Sequence, residues 1–84
     1  MPVAFLMQQM AWREALDEAH DIAAVEQLDQ VVAADEAGLL AELGRTLDRE
    51  GEPDNAAAAQ QVRALMFVAR FRADIGRRLE ALDA

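Results

Sequence analysis

Proline occurs at only two positions in this 84-residue chain, Pro2 and Pro53, and no stretch is rich in glycine or serine. Proline removes a backbone donor and glycine loosens the chain, so their scarcity leaves long tracts free to run as helix. The apolar rhythm breaks at two places. At His20-Asp21, the Asp21 carboxylate is suited to cap a following helix by accepting a backbone N–H bond. Near residue 52, Gly51 can end a helix in the left-handed conformation, and Pro53 with Asp54 can open the next. Ala, Leu, Arg and Glu dominate between the breaks, and all of them favour helix. The spacing predicts three helices, over about 3–19, 22–50 and 54–82. Short connections make consecutive helices antiparallel neighbours, so the expected fold is all-α, an up-down-up antiparallel three-helix bundle forming a single domain.

The third segment has the clearest core face. Leu65, Val68, Arg72, Ile75, Leu79 and Leu82 step by three and four residues, with Phe71 and Val62 widening the stripe. The middle segment offers Val25, Leu28, Val32, Leu39, Leu43 and Leu47. That stripe is broken by Asp35-Glu36 and weakened at Gly38 and Gly44, each costing about 1 kcal/mol against Ala, so a kink or local mobility is expected there. The tract Ala56–Ala59 reads as a close-packed helix start.

Composition excludes several kinds of function. Without cysteine there is no disulfide framework, thiolate metal site or cysteine nucleophile, and the chain suits a reducing, cytoplasmic setting. The apolar run Ala64–Ala69 is far shorter than the roughly 20 residues of a membrane span, and the N-terminus lacks the pattern of a signal peptide. A net charge of −8 argues against nucleic acid and anionic lipid. The charge is also uneven: residues 1–54 carry 13 acids against three arginines, whereas residues 55–84 carry five arginines against three acids. The last segment can therefore lie against the rest with favourable electrostatics.

The first segment carries more apolar surface than a bundle needs. At 100° per residue, Phe5, Trp12, Leu16 and Ala19 share one arc of about 60°, the expected core stripe. Leu6, Met7 and Met10 form a second apolar sector, shared with Glu14, Asp17 and Glu18, and Phe67 lies on the flank of the third stripe. One reading is that these side chains cap the bundle or extend its core. The other is a binding surface, because apolar anchors beside carboxylates suit a partner whose hydrophobic pocket is ringed by basic groups.

The run Phe5-Leu6-Met7-Gln8-Gln9-Met10-Ala11-Trp12-Arg13-Glu14-Ala15-Leu16-Asp17-Glu18 resembles the segment opening the C-terminal domain of the iron–sulfur co-chaperone HscB family. Val62-Arg63-Ala64-Leu65-Met66-Phe67 is similar to that family's third helix. The resemblance implies a domain that binds the cluster scaffold protein IscU, while a separate N-terminal J-domain hands the scaffold to the DnaK-like chaperone HscA. By matching position it implies that Leu6, Met7, Met10 and Phe67 are the apolar contacts and that Glu14 and Glu18 are the acidic ones. Ala11 departs from the pattern, standing where the family often carries Glu, and the loop from Arg49 to Asn55 is longer than usual. The J-domain's His-Pro-Asp signature is absent, so the resemblance implies either a fragment of a two-domain co-chaperone or a protein that has lost its ATPase-stimulating half.

Catalysis finds little support. The chain has one histidine and no serine or tyrosine, nothing indicates a concave pocket or a nucleophile partner for its many carboxylates, and His20 with Asp17 or Asp21 would make at most an incomplete metal site. All-helical chorismate mutases are of similar length, but they need several cationic groups converging on one cavity, and this chain has no lysine. The expectation is a non-enzyme without cofactor or metal. A different class of function is a self-associating helical adaptor, in which Leu6, Met7, Met10 and Phe67 pair with their own copy as a homo-oligomer.

Overall fold

Asp21 adopts an extended backbone, and its Oδ1 accepts a 2.7 Å hydrogen bond from the Ala24 N–H, the N-cap arrangement that satisfies one of a helix's orphan donors. A computed structural model describes residues 3–48 and 55–83, which form three helices: α1 (Val3–Glu18), α2 (Ile22–Leu47) and α3 (Asn55–Asp83). The turn signals at Gly51, Pro53 and Asp54, and the expected ends at residues 50 and 54, lie outside the described residues. α2 runs without interruption through Gly38 and Gly44.

Residue pairings fix the helix directions. Arg72 of α3 reaches Asp29 and Glu36 of α2, Ile22 and Glu26 share a depression with Leu79 and Asp83, and Leu39 and Glu42 share one with Ala57 and Ala64. Rising numbers on α2 thus meet falling numbers on α3, and the two helices are antiparallel. On α1, Phe5 meets Phe67, Trp12 meets Phe71, Arg13 meets Asp74 and Leu16 meets Arg78, so α1 runs parallel to α3. The result is the up-down-up bundle.

Trp12, Leu16, Ala19, Val25, Val32, Val68, Phe71 and Ile75 form the core, with Leu28, Leu39, Phe67, Leu79 and Leu82 packed around it. No polar residue is wholly buried among the described residues, although Gln61 Oε1 is shut off from solvent. Arg72, expected in the apolar stripe of α3, instead sits at its edge, with Nε 3.1 Å from Asp29 and Nη1 3.0 Å from Glu36. The hydrogen bonds to Asp29, then those to Glu36, raise its pKa above the ordinary arginine value, so this seam keeps its positive charge. The acidic break in the α2 stripe is therefore where the two long helices are tied together. At the C-terminus of α1, Arg78 Nη2 donates to the Leu16 carbonyl at 3.4 Å, where the helix dipole favours a cation.

Helix lengths explain where the expected core stops. At 1.5 Å per residue, the 16 residues of α1 reach only about half as far as the 29 of α3. Phe5 already lies level with Leu39 and Ala64, and beyond it α2 and α3 continue as a two-helix arm within a molecule 51 Å long. Phe5 at the rim is consequently half-buried, and Leu47 and Val62, expected in the core stripes, are exposed on the sides of their helices turned away from α1.

Candidate functional site

α1 turns the edge bearing Trp12, Leu16 and Ala19 into the core, which forces the opposite sector outward. Leu6 is 46% exposed, Met7 65% and Met10 65%, and Glu14 and Glu18 are exposed beside them. Phe67 is placed differently. It lies at the seam between α3 and α1, half-buried, with its ring edge-on to Phe5 at 5.7 Å and stacked with Trp12 at 6.4 Å and Phe71 at 6.0 Å. One side of this ring supports the core while another remains available at the surface.

A shallow groove along the seam is lined by Gln9, Met10, Arg13, Glu14 and Phe67. Three of the residues singled out from the sequence, Met10, Glu14 and Phe67, therefore meet around one depression. Leu6 lies one turn before Met10 on the same edge of α1, and Met7 is one residue further round. Glu18 is set apart. It lines a second depression, with Ala19, Ala24, Leu28 and Val31, on the side of α1 that faces α2.

Sequence reasoning missed Gln9 and Arg13 as groove residues. The signal was present, since positions 9, 10, 13 and 14 are neighbours across one helical turn. Arg13 Nη1 pairs with Asp74 Oδ2 at 3.0 Å, and the guanidinium lies over the Phe71 ring, 5.4 Å from its centre. Asp74 is also held by Arg77, three residues along α3. Arg13 is thus occupied within the bundle, whereas Glu14 and Glu18 form no salt bridge among the described residues and present uncompensated negative charge.

These side chains offer apolar contact flanked by carboxylate, the chemistry of polypeptide recognition. Among the described residues there is no group of three or more His, Asp or Glu placed to hold a metal ion, and His20 is exposed in the connection between α1 and α2. No helix among them is long and apolar enough to cross a membrane.

The sequence model of one protein family, described as the HSCB C-terminal oligomerisation domain, matches residues 1–76. Over 84 residues the chain is 46% identical to the "Co-chaperone protein HscB homolog" of Pseudoalteromonas atlantica, an overlap covering 95% of this chain and 48% of that protein. It is 42% identical over 86 residues to the protein of the same name from Burkholderia mallei, covering 99% and 47%. For the Paraburkholderia phymatum protein the identity is 40%, with the same coverage. The chain thus spans about half the length of the curated relatives it matches. No solved structure matches it. The two stretches that carry the resemblance, Phe5–Glu18 and Val62–Phe67, both fall within the matched residues, and the chain belongs to the HscB C-terminal domain family.

Proposed function

We propose that this chain is the scaffold-binding domain of a J-type co-chaperone in iron–sulfur cluster assembly, docking the scaffold protein IscU through Leu6, Met7, Met10 and Phe67 with Glu14 and Glu18 alongside. In this reading the chain is one part of a two-domain protein whose J-domain half delivers the bound scaffold to the chaperone HscA. The role is non-catalytic, cytoplasmic and needs no cofactor. The observation that carries it is the exposure of Leu6, Met7 and Met10 on one short helix, beside an aromatic contributed by another. The co-chaperone names of the relatives, and the half-length overlap with them, support the two-domain reading.

The mechanism is rigid presentation. Trp12 and Phe71 hold α1 against α3, so the anchors are already fixed relative to one another and little side-chain or backbone freedom is lost on docking. Glu14, which forms no salt bridge among the described residues, can meet a basic rim on the partner. Glu18 faces away from the groove toward α2, and its contribution should be smaller. Calorimetric titration with IscU tests the reading: Leu6→Ala and Met10→Ala should each weaken binding by about 1–3 kcal/mol with helicity unchanged by circular dichroism. Parent-like affinity in both variants would refute it. Glu14→Lys should slow association and reverse the salt dependence, and stopped-flow rates indifferent to that change would remove the acidic border from the account.

A second reading, self-association, is favoured by the family's description as an oligomerisation domain. Were Leu6, Met7, Met10 and Phe67 themselves the self-contact, a dimer would conceal them from the scaffold. Sedimentation of the chain with and without IscU separates the two uses of that surface.

A further inference from the structure

Two polar side chains line the seam groove and belong to none of the contacts proposed above. Gln9 and Arg13 stand four residues apart on α1, so they lie side by side along one wall, with Phe67 on the α3 side. Gln9 is half-buried, and its amide forms no hydrogen bond among the described residues. The Arg13 side chain is 50% exposed and commits only Nη1, to Asp74. Its Nε and Nη2 have no acceptor among the described residues, and the Phe71 ring beneath the guanidinium uses none of its N–H groups. Nε and Nη2 form the edge of a guanidinium that matches the two oxygens of a carboxylate. Within this chain Arg72 uses that same edge on Asp29, Nε meeting Oδ1 at 3.1 Å and Nη2 meeting Oδ2 at 3.5 Å. Asp74 does not neutralise the site, since Arg77 shares it: two guanidinium groups meet one carboxylate.

Resting on the scaffold-binding reading, we infer that Arg13 and Gln9 together receive a carboxylate side chain of the docked scaffold and so fix where along α1 the scaffold sits. Desolvation requires it. A partner that covers Met10 and Phe67 also strips water from the donors between them, and a cation dehydrated without an acceptor opposes binding. The open edge of Arg13 holds the two carboxylate oxygens, and the Gln9 amide N–H donates to a remaining lone pair from one turn away. Register follows from the neighbours. Glu14 and Glu18 repeat at one turn, so acids alone do not distinguish two alignments of a basic partner. Arg13 has no such counterpart: Asp17 stands one turn on and Gln9 one turn back. A slip of one turn would set the scaffold's carboxylate against Asp17, a like charge, so Arg13 supplies discrimination on a surface that is otherwise acidic.

Calorimetric titration with IscU, with thermal melts of each variant, tests the assignment. Arg13→Gln and Asp74→Asn break the same ion pair between α1 and α3, but only the first removes the cation from the groove. Trp12 and Phe71 still hold α1 in both. Arg13→Gln should raise the dissociation constant about tenfold or more, and Gln9→Ala should raise it by a smaller factor. Asp74→Asn should bind at least as tightly as the parent, since it frees the guanidinium. Arg13→Lys keeps the charge without the planar edge and should recover only part of the loss. Equal losses of affinity in Arg13→Gln and Asp74→Asn would show that Arg13 merely holds α1 in place, and would overturn the carboxylate site. Parent-like affinity in Arg13→Gln, with Met10→Ala weakened, would overturn it too while leaving the scaffold-binding reading intact. Parent-like affinity in Leu6→Ala and Met10→Ala would remove that reading and this one together.

Discussion

Trp12 and Met10 stand two residues apart on α1 and have opposite fates, because 200° of helical rotation separates a buried ring from an exposed thioether. Trp12→Ala should cost about 3–5 kcal/mol of stability as a large-to-small change beside Phe67 and Phe71, seen as a lower melting temperature; an unchanged melt would remove Trp12 from the core. Phe67 belongs to both worlds. Its contacts with Phe5, Trp12 and Phe71 mean that Phe67→Ala should lower both the melting temperature and the affinity for IscU, unlike Met10→Ala, which should touch affinity alone. The wheel of α1 by itself made Trp12, Leu16 and Ala19 legible as core and Leu6, Met7 and Met10 as surplus. The same reasoning could not see the partial burial of Phe67 or the pairing of Arg72 with Asp29 and Glu36, since both depend on the register between helices distant in sequence.

At the scale of the element, placement decides more than composition. Leu47 and Val62 are exposed although their periodicity places them in apolar stripes, because each lies more than about 100° round its helix from the residues that meet α1. Periodicity reports which face of a helix is apolar, not whether a neighbour covers it. Gly38 offers a separate test within α2. A Cβ added there would meet no heavy atom within 4 Å, so Gly38→Ala should stabilise the chain by about 1 kcal/mol through helix propensity. A denaturant midpoint shifted downward would mean that the glycine serves a need the free chain does not reveal.

For the whole molecule, the three-helix layout and the first cap were readable in the sequence, the cap because the Asp21 carboxylate acts locally. The two-sidedness of the bundle was not readable, since it emerges only when three helices of unequal length are stacked. One side carries the α1 surface with its seam groove, and the other carries Leu40 and Val62 on the α2–α3 arm. On the proposed function, the α1 side receives the scaffold. A two-dimensional amide NMR titration of the isotopically labelled chain with unlabelled IscU tests it most directly: shifts should cluster on Leu6, Met7, Met10, Glu14 and Phe67 and spare Leu40 and Val62. Shifts gathered on the α2–α3 arm instead, or none at saturating scaffold, would contradict it.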